Sequence, residues 1–94
     1  MGKKRETRER VLRCQRLLAL GALAGLMDER KEQKRYLRIY RREFNLLPPR
    51  LRLTQEHDAA VVRPARELFD RYGGPLGVQE RAVNERWRDE FEDD

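Results

Sequence analysis

The stretch Tyr36-Leu37-Arg38-Ile39-Tyr40-Arg41-Arg42-Glu43-Phe44 decides how this chain folds. At 3.6 residues per turn, Tyr36, Ile39 and Tyr40 fall on one apolar stripe, and basic residues crowd both flanks of that stripe. A helix with this pattern buries an aromatic and aliphatic face and holds guanidinium groups at its edges. The stretch therefore predicts an amphipathic helix that meets an anionic partner.

The composition predicts one small helical domain. The chain has 94 residues, of which 38% are hydrophobic and 41% charged, and its mean hydropathy is −0.99. A chain this polar folds mainly as amphipathic helices with narrow apolar stripes, and its core is small. This composition favours a subunit of a larger assembly over a free-standing enzyme.

The net charge of +5 hides an asymmetry between the two halves of the chain. Residues 1–50 hold 15 Lys and Arg against 6 Asp and Glu, and residues 51–94 hold 7 against 11. The basic half, at +9, attracts a polyanion or an acidic protein, and the acidic end repels nucleic acid locally. That acidic end comprises Asp89, Glu90, Glu92, Asp93 and Asp94.

Hydrophobic spacing and helix breakers predict the first two helices. The first covers about residues 7–27, on a stripe that includes Cys14 and Ala22 and is widened by Leu12 and Met27. Asp28 is predicted to be the N-cap of the second helix, which ends near residue 47 at a pair of prolines. In an alternative, the first helix continues without a break into the second.

The second half of the chain predicts two more helices. After an extended connector over residues 50–53, Thr54 is the predicted N-cap of a third helix that reaches about residue 72. The apolar face of this helix continues across Pro64, which predicts one kinked helix rather than two. A glycine and proline turn ends it, and a final helix begins near residue 78. That helix places Val83, Trp87 and Phe91 four residues apart.

The absence of any alternating strand pattern leads to an all-α prediction. We divide the chain into a basic helical domain over residues 1–72 and a second region over residues 73–94. The second region comprises the turn, the short helix and the acidic tail.

Side chains suited to catalysis or metal binding are sparse. Cys14 is the only cysteine and His57 the only histidine, so the sequence allows no internal disulfide and no structural zinc set. We predict that His57 is a surface or capping residue and that Cys14 is buried and inert. The longest uncharged run, residues 17–27, is about half a membrane span. We therefore expect no enzyme, no cofactor of the protein's own and no transmembrane span.

Two kinds of anion fit the basic second helix. Nucleic acid needs only a dense set of cations for its phosphates. The aromatic residues lie on the apolar stripe, however, where they serve the core before they can stack on bases. Arginines on both sides of an apolar stripe also fit a groove edge that grips an acidic helix of another protein. The cations concerned are Arg30, Lys31, Lys34, Arg35, Arg38, Arg41 and Arg42.

Two segments resemble the mitochondrial LYR-motif family. Residues 8–18 resemble that family's opening helix, in which an Arg-x-x-Val-Leu lead-in precedes a Leu-Tyr-Arg triplet and an apolar pair. Cys14-Gln15-Arg16 stands at the triplet and keeps its arginine. Ile39-Tyr40-Arg41-Arg42-Glu43-Phe44 resembles the basic run and phenylalanine that end the family's second helix. The resemblance covers about residues 8–72, and the arginine-rich amino terminus is typical of mitochondrial targeting segments.

The resemblance implies a three-helix LYR-like bundle, to which this chain adds a short C-terminal helix. Members of the family receive the acyl-phosphopantetheine of mitochondrial acyl carrier protein between their helices and clamp the carrier's acidic helix with basic residues. Arg16, Arg41 and Phe44 match motif positions, and the charge pattern adds Arg38 and Arg42 to the partner-binding set. Phe44 would line or border the acyl tunnel together with the small residues Gly21, Ala22 and Gly25.

The function that the resemblance implies is that of a non-enzymatic adaptor in the mitochondrial matrix. Such an adaptor docks acyl carrier protein onto a large complex, either a mitochondrial ribosome during assembly or a respiratory complex. Two alternatives remain open. The first is a small basic structural subunit of a mitochondrial ribosome, in contact with ribosomal RNA. The second is a peripheral helical subunit of a respiratory or ATP synthase complex that binds no carrier.

Overall fold

The computed structural model describes residues 2–73 and 81–92, and this part of the chain is a four-helix, all-α bundle without a strand. The predicted all-α fold is confirmed. No helix in this part is long and apolar enough to span a membrane. The elements are, in chain order, α1 (Gly2–Leu26), α2 (Arg30–Asn45), a 3-10 turn (Pro49–Arg52), α3 (residues 54–73) and α4 (Arg81–Glu90). Helix α3 consists of four consecutive helical segments: Thr54–His57, Asp58–Val62, Arg63–Leu68 and Phe69–Gly73.

Helix α1 begins earlier than predicted, at residue 2, and its buried face is rotated from the predicted stripe. Ala22, Leu12 and Met27 are exposed, whereas Leu17 and Ala24 are fully buried. The rotation arises because α2, α3 and α4 all pack on α1. A helix surrounded on several sides buries more than the single stripe that periodicity indicates.

The turn between α1 and α2 corrects the predicted role of Asp28. This residue has φ 58°, in the left-handed region, and Glu29 is the N-cap of α2. The Glu29 N–H donates to the Ala24 carbonyl at 2.8 Å, and the Asp28 N–H donates to the Gly25 carbonyl at 3.2 Å. These two bonds form a Schellman motif, so Asp28 terminates α1 instead of starting α2. The alternative of one continuous helix is also wrong.

Helix α3 passes Pro64 without a break, as predicted. The segment that precedes this proline, Asp58–Val62, consists of wider π turns. Pro64 has no N–H to donate to the carbonyl of Ala60, four residues earlier. The Gln15 side-chain amide of α1 donates to that carbonyl at 2.8 Å instead. A contact between α1 and α3 thus replaces the missing helical bond.

The connector and the N-cap of α3 also differ from the predictions. The predicted extended connector is a 3-10 turn, and Leu53 is the N-cap of α3, so that Thr54 is already helical. Both differences are confined to the short segment between α2 and α3. The two prolines before this segment and the start of α3 after it leave room for only one tight turn. The predicted turn at Gly74 and Pro75, the start of the last helix near residue 78, the side chain of Val83 and the terminal Asp93 and Asp94 lie outside the described residues.

The core consists of two connected clusters, with Tyr40 packed against both. Phe91, which directly follows α4, is fully buried in the first cluster, so this end of the chain shares one core with α1 and α2. The second cluster joins Cys14 of α1 and Val61 of α3 to Leu47, which lies just after α2. The first comprises Leu17, Leu20, Ala24, Tyr36, Ile39 and Phe91, and the second comprises Cys14, Leu47 and Val61.

Candidate functional site

The outer face of α2 is almost entirely cationic. Of the seven exposed residues in this helix, six are Arg or Lys and the seventh is Asn45. At 100° per residue the six cations fall within an arc of about 120°, and they extend over about 18 Å of helix. We call this set the α2 cationic face: Arg30, Lys31, Lys34, Arg38, Arg41 and Arg42.

The inner face of α2 explains why the outer face lacks a carboxylate. Tyr36 and Ile39 are buried in the core and set the rotation of the helix. Of the two acids in α2, Glu32 is partly exposed and pairs with Arg35 at 2.9 Å, and Glu43 is buried with the core residues, its side chain only 7% exposed. Its carboxylate accepts hydrogen bonds from Arg10 at 2.6 Å and from Arg13 at 3.4 Å on α1. The acid is therefore used to join α1 to α2.

A second group of arginines holds α4. Arg16 donates to the Glu90 carboxylate at 2.9 Å, and Arg13 lies 3.9 Å from the same group. Arg35 donates to the backbone carbonyl of Phe91 at 2.6 Å. We call Arg13, Arg16 and Arg35 the α4 clamp. The clamp belongs to α1 and α2 and binds the C-terminal end of another helix of the same chain.

Aromatic rings reinforce the α4 clamp. The Arg13 guanidinium lies 4.8 Å from the centre of the Phe91 ring, and the Arg16 guanidinium lies 5.9 Å from the Trp87 ring. Both distances are within the range of cation–π attraction. Each of these arginines therefore holds α4 through charge and through a ring at the same time.

His57 is buried, contrary to its predicted surface or capping role. Its Nδ1 lies 2.9 Å from the Leu51 carbonyl oxygen, and its Nε2 is hydrogen-bonded to the Tyr40 hydroxyl. Because a carbonyl can only accept, Nδ1 carries the proton and Nε2 accepts from Tyr40. The Phe44 ring packs edge-on against the imidazole at 4.8 Å. Burial raises the pKa of Tyr40 to about 12, so its hydroxyl stays protonated at physiological pH. The hydrogen bond between Tyr40 and His57 is a polar bridge inside the bundle.

Cys14 is fully buried, as predicted. Burial raises the pKa of this thiol from 9.0 to about 12, and the nearby Glu43 carboxylate acts in the same direction. Arg10 and Arg13 oppose the shift less strongly. The thiol is therefore neutral at physiological pH, in agreement with the expectation that it is inert.

The predicted partner-binding arginines separate into two environments. Arg38, Arg41 and Arg42 lie together on the exposed α2 cationic face. Arg16 lies in the α4 clamp, bound to Glu90. The structure therefore brings together the three residues on α2 and places Arg16 in a different set.

The residues predicted to border an acyl tunnel do not lie together either. Phe44 packs against Tyr40 and His57, and Ala22 is exposed. A Cβ at Gly21 would lie 3.5 Å from Leu37, and one at Gly25 would lie 2.4 Å from the Gln33 side chain. The two glycines thus permit close contact with α2, about two helical turns or more from the level of Phe44.

The sequence placed Arg35 among the cations of α2 that would meet a partner, and it did not predict the roles of Arg13 and of its ion-pair partner Glu90. A signal was present, because Glu90 lies between two aromatic residues, Trp87 and Phe91, that are four residues apart. Arg13 and Arg16 are three apart on α1, so both can reach one carboxylate. In the part of the chain that the structure describes, no cluster of three His, Cys, Asp or Glu side chains is placed to hold a metal ion.

Comparison with known proteins identifies no relative: no protein-family model, curated protein or solved structure matches the chain.

Proposed function

We propose that this protein is a non-enzymatic adaptor of the mitochondrial matrix. Its α2 cationic face binds the acidic recognition helix of acyl carrier protein, and the bundle brings the carrier to a large mitochondrial complex. One observation carries this proposal: six of the seven exposed residues of α2 are cations, and none of the seven is an acid. The resemblance to LYR-motif adaptors at Ile39-Tyr40-Arg41-Arg42-Glu43-Phe44 supplies the class of partner.

The dimensions and charge of the α2 cationic face suit an acidic helix. Its length of about 18 Å corresponds to about three turns of a partner helix. Arginines present planar donors that pair with carboxylates in two-point contacts. Exposed cations of one sign also attract an acidic partner from a distance and speed association.

The chain itself offers a precedent for this mode of binding. Helix α4 has no net charge, with three arginines and three acids, but the α4 clamp holds its Glu90 carboxylate and the Phe91 carbonyl that follows it. Arginines of α1 and α2 thus already bind a carboxylate of another helix within the molecule. An acidic helix on the outer face of α2 would use the same chemistry with a different set of arginines.

A ribosomal RNA partner is the alternative reading of the same face. The aromatic rings of α2 favour protein over RNA, because Tyr36 is buried and Tyr40 and Phe44 pack against the core. The exposed residues of α2 include no ring on which a base could stack. RNA binding through phosphates alone would be independent of sequence and steeply dependent on salt.

Binding of acyl carrier protein to the full chain tests the proposal. We expect holo carrier protein to bind with micromolar or better affinity at low salt. Arg38→Glu together with Arg41→Glu should weaken binding at least 100-fold, because two attractive contacts become repulsive. Isothermal titration calorimetry measures both. The matched control is Lys4→Glu with Arg66→Glu, which makes the same change in charge at exposed sites outside α2.

Three results would overturn the proposal. The first is no binding of carrier protein by the wild-type chain. The second is an equal loss of affinity in the control variant, which would indicate a response to net charge only. The third is tighter binding of a ribosomal RNA fragment than of the carrier, with that affinity falling steeply between 50 and 200 mM salt, as expected from about six or more phosphate contacts.

The carrier's acyl group and the parent complex are tested separately. If the acyl-phosphopantetheine enters beside Phe44, an octanoyl carrier should bind more tightly than the holo form, because each buried methylene adds about 0.8 kcal/mol. Phe44→Ala should reduce that difference. Mass spectrometry of proteins that co-purify with the full chain should then identify subunits of a mitochondrial ribosome or a respiratory complex.

A further inference from the structure

Four of the five large apolar residues that are exposed in the described part of the chain form two pairs, one at each end of the bundle. Leu26 and Met27 lie at the turn from α1 to α2, and Leu46 and Leu53 flank the 3-10 turn that follows α2. The 16 residues of α2 separate the two pairs by about 24 Å. Leu46 is 58% exposed and Leu53 is 59% exposed, so each keeps more than half of its surface in solvent.

The core fixes the position of the 3-10 turn, so these two leucines stay outside it. Leu47 and Leu51 pack in the second core cluster. His57 holds the turn from the other side: its Nδ1 donates to the Leu51 carbonyl at 2.9 Å, and its backbone N–H donates to the Leu53 carbonyl at 2.7 Å. Because Leu46 directly precedes Leu47, both exposed leucines lie at the same end of the bundle.

The charges around these leucines all have one sign. Every exposed charged residue between positions 41 and 55 is an arginine, and the one acid of this segment, Glu43, is buried against α1. Arg50 and Arg52 lie in the 3-10 turn itself, between the two leucines in the sequence. We call the following set the basic tip: Leu46, Pro49, Arg50, Arg52 and Leu53.

The elements beside the basic tip extend this excess of positive charge. Helix α1 runs antiparallel to α2, since Arg10 near its start bonds to Glu43 near the end of α2. The first turns of α1 therefore lie at the same end of the bundle as the basic tip. Exposed cations at this end outnumber exposed acids by seven to three. The cations are Lys4, Arg5, Arg8, Arg41, Arg42, Arg50 and Arg52, and the acids are Glu6, Glu9 and Glu56.

The apolar pair at the opposite end of the bundle has mixed charges around it. Asp28 is exposed, directly follows Met27, and lies 3.5 Å from the Arg30 guanidinium. The next residue, Glu29, pairs with Arg88 at 3.3 Å. Of the two ends, only the basic tip therefore combines exposed apolar side chains with charges of a single sign.

We propose that the basic tip binds the surface of a membrane that contains anionic lipids. Leu46 and Leu53 enter the boundary between the head groups and the acyl chains, while Arg50 and Arg52 remain at the level of the head groups. Guanidinium groups form two-point contacts with phosphate, and anionic lipids attract basic residues near the membrane surface. This site is distinct from the carrier-binding role that we propose for the α2 cationic face.

The combination of leucine and arginine favours a lipid surface over the other partners of a basic patch. Nucleic acid offers phosphates to Arg50 and Arg52, but it has no apolar phase for two leucines. A partner helix or groove is matched by an apolar stripe on one helix. Leu46 and Leu53 lie on opposite sides of a turn and form no such stripe. A membrane interface supplies both the phosphates and the apolar phase.

Binding of the full chain to lipid vesicles tests this proposal. We expect at least tenfold stronger partitioning into phosphatidylcholine vesicles with about one third phosphatidylserine than into pure phosphatidylcholine vesicles. Leu46→Gln with Leu53→Gln should weaken binding to the anionic vesicles at least tenfold, because the apolar contacts are lost. Arg50→Gln with Arg52→Gln should also weaken it at least tenfold. Co-sedimentation at physiological salt measures all three.

The opposite end of the bundle provides matched controls. Leu26→Gln with Met27→Gln makes the same apolar-to-polar change, and Arg30→Gln with Lys31→Gln removes the same charge. Each control should change binding less than twofold, because these residues lie about 24 Å from the basic tip and charges beyond about 8 Å are largely screened at physiological salt. All the substituted residues are exposed, so circular dichroism should show unchanged helix content in every variant.

Tryptophan fluorescence identifies which end of the bundle enters the membrane. Trp87 is the only tryptophan of the chain, so Leu53→Trp in a Trp87→Phe background places the one indole at the basic tip. Anionic vesicles should shift its emission to shorter wavelength, and brominated lipids should quench it. Met27→Trp in the same background should show neither change.

Several results would overturn the proposal. They are equal binding to the two kinds of vesicle, equal losses in the tip and control variants, and an unchanged emission from the tryptophan at position 53. Binding of an RNA oligonucleotide or self-association that depends on the basic tip, with no binding to vesicles, would overturn it as well. These measurements involve no acyl carrier protein, and Leu46→Gln with Leu53→Gln should leave carrier binding unchanged. Failure here is therefore distinguishable from failure of the proposed adaptor function.

Discussion

The α4 clamp and the α2 cationic face use the same residue type in opposite ways. In the clamp, Arg16 is bound to Glu90 and stacked on Trp87. On the face, Arg38 and Arg41 are exposed and make no ion pair within the described residues. The difference lies in where the carboxylates are. Glu90 comes to the clamp on α4, whereas Glu43, next to the face in sequence, turns into the core.

This difference separates the clamp arginines, which maintain the fold, from Arg38 and Arg41, which are available to a partner. An exposed, unpaired arginine contributes little to stability and retains its capacity to bind another molecule. A partly buried arginine that reaches a carboxylate and a ring contributes to the fold, and its removal leaves the acid unpaired. Mutations in the two sets should therefore have clearly different effects on the free energy of unfolding.

Phe91→Ala should have the largest effect, because it removes the buried side chain that fixes α4 to the core. We expect the free energy of unfolding to fall by about 3–5 kcal/mol, as for other buried phenylalanines. Urea denaturation followed by circular dichroism measures it. Leu46→Ala, at a residue 58% exposed, is the control and should change it by about 0.5 kcal/mol at most. Equal effects would mean that α4 does not depend on Phe91.

Glu43→Gln should have the next largest effect. The substitution keeps the shape of the side chain but removes the buried charge that Arg10 and Arg13 share. We expect a loss of about 2–3 kcal/mol in the same denaturation assay. Glu32→Gln breaks a more exposed pair with Arg35 and should cost less than about 1 kcal/mol. A smaller loss at Glu43 than at Glu32 would contradict the proposed link between α1 and α2.

Stability should decline at high pH because Cys14 stays protonated in the folded state. Its pKa is raised from 9.0 to about 12, so its contribution is complete below pH 9 and is lost as pH rises toward 12. Within that window the slope should approach about 1.4 kcal/mol per pH unit. Urea denaturation at several pH values measures the slope. A Cys14→Ala variant should show a shallower decline, and an identical slope would contradict this account.

Two tyrosines on α2 should respond differently to the same substitution. Tyr40→Phe removes the hydroxyl that bonds to His57, so we expect a loss of about 1 kcal/mol. Tyr36→Phe removes a buried hydroxyl that has no partner in the described part of the chain, so it should leave stability unchanged or raise it by about 1 kcal/mol. Thermal melts compare the two variants. A loss at Tyr36 would show that its hydroxyl is satisfied.

The smallest effect on stability should come from the α2 cationic face. Arg38→Gln with Arg41→Gln should change the free energy of unfolding by about 0.5 kcal/mol at most, because both side chains are exposed. The same pair of substitutions at Arg13 and Arg16 should cost more, since those residues hold α4. If the α2 pair costs as much as the clamp pair, the distinction between partner-binding and structural arginines is wrong.

Much of the fold could be predicted because helical periodicity and breakers are local properties. The second helix, its end before the two prolines and the passage of α3 across Pro64 follow from spacing and backbone chemistry. Asp28 was misassigned because a polar residue between two helices can cap either one, and only its left-handed φ decides which. His57 was misassigned because nothing near it in sequence indicates Tyr40 or the Leu51 carbonyl.

The candidate site was predictable only in part. The cations of α2 lie close together in the sequence, so Arg38, Arg41 and Arg42 could be predicted as one group. The clamp was missed because Arg16 and Glu90 are 74 residues apart. Local patterns cannot indicate a pairing over that separation. For the same reason the sequence could not show that Gly21 and Gly25 meet Leu37 and Gln33 rather than Phe44.

The sequence by itself determined that this chain is all-α, with a basic first half and an acidic end, because helix spacing and charge are written along the chain. Only the tertiary structure decided which arginines are occupied. That decision depends on where α4 and Glu43 lie after folding, because a guanidinium is neutralised by the carboxylate nearest in space, not by the one nearest in sequence.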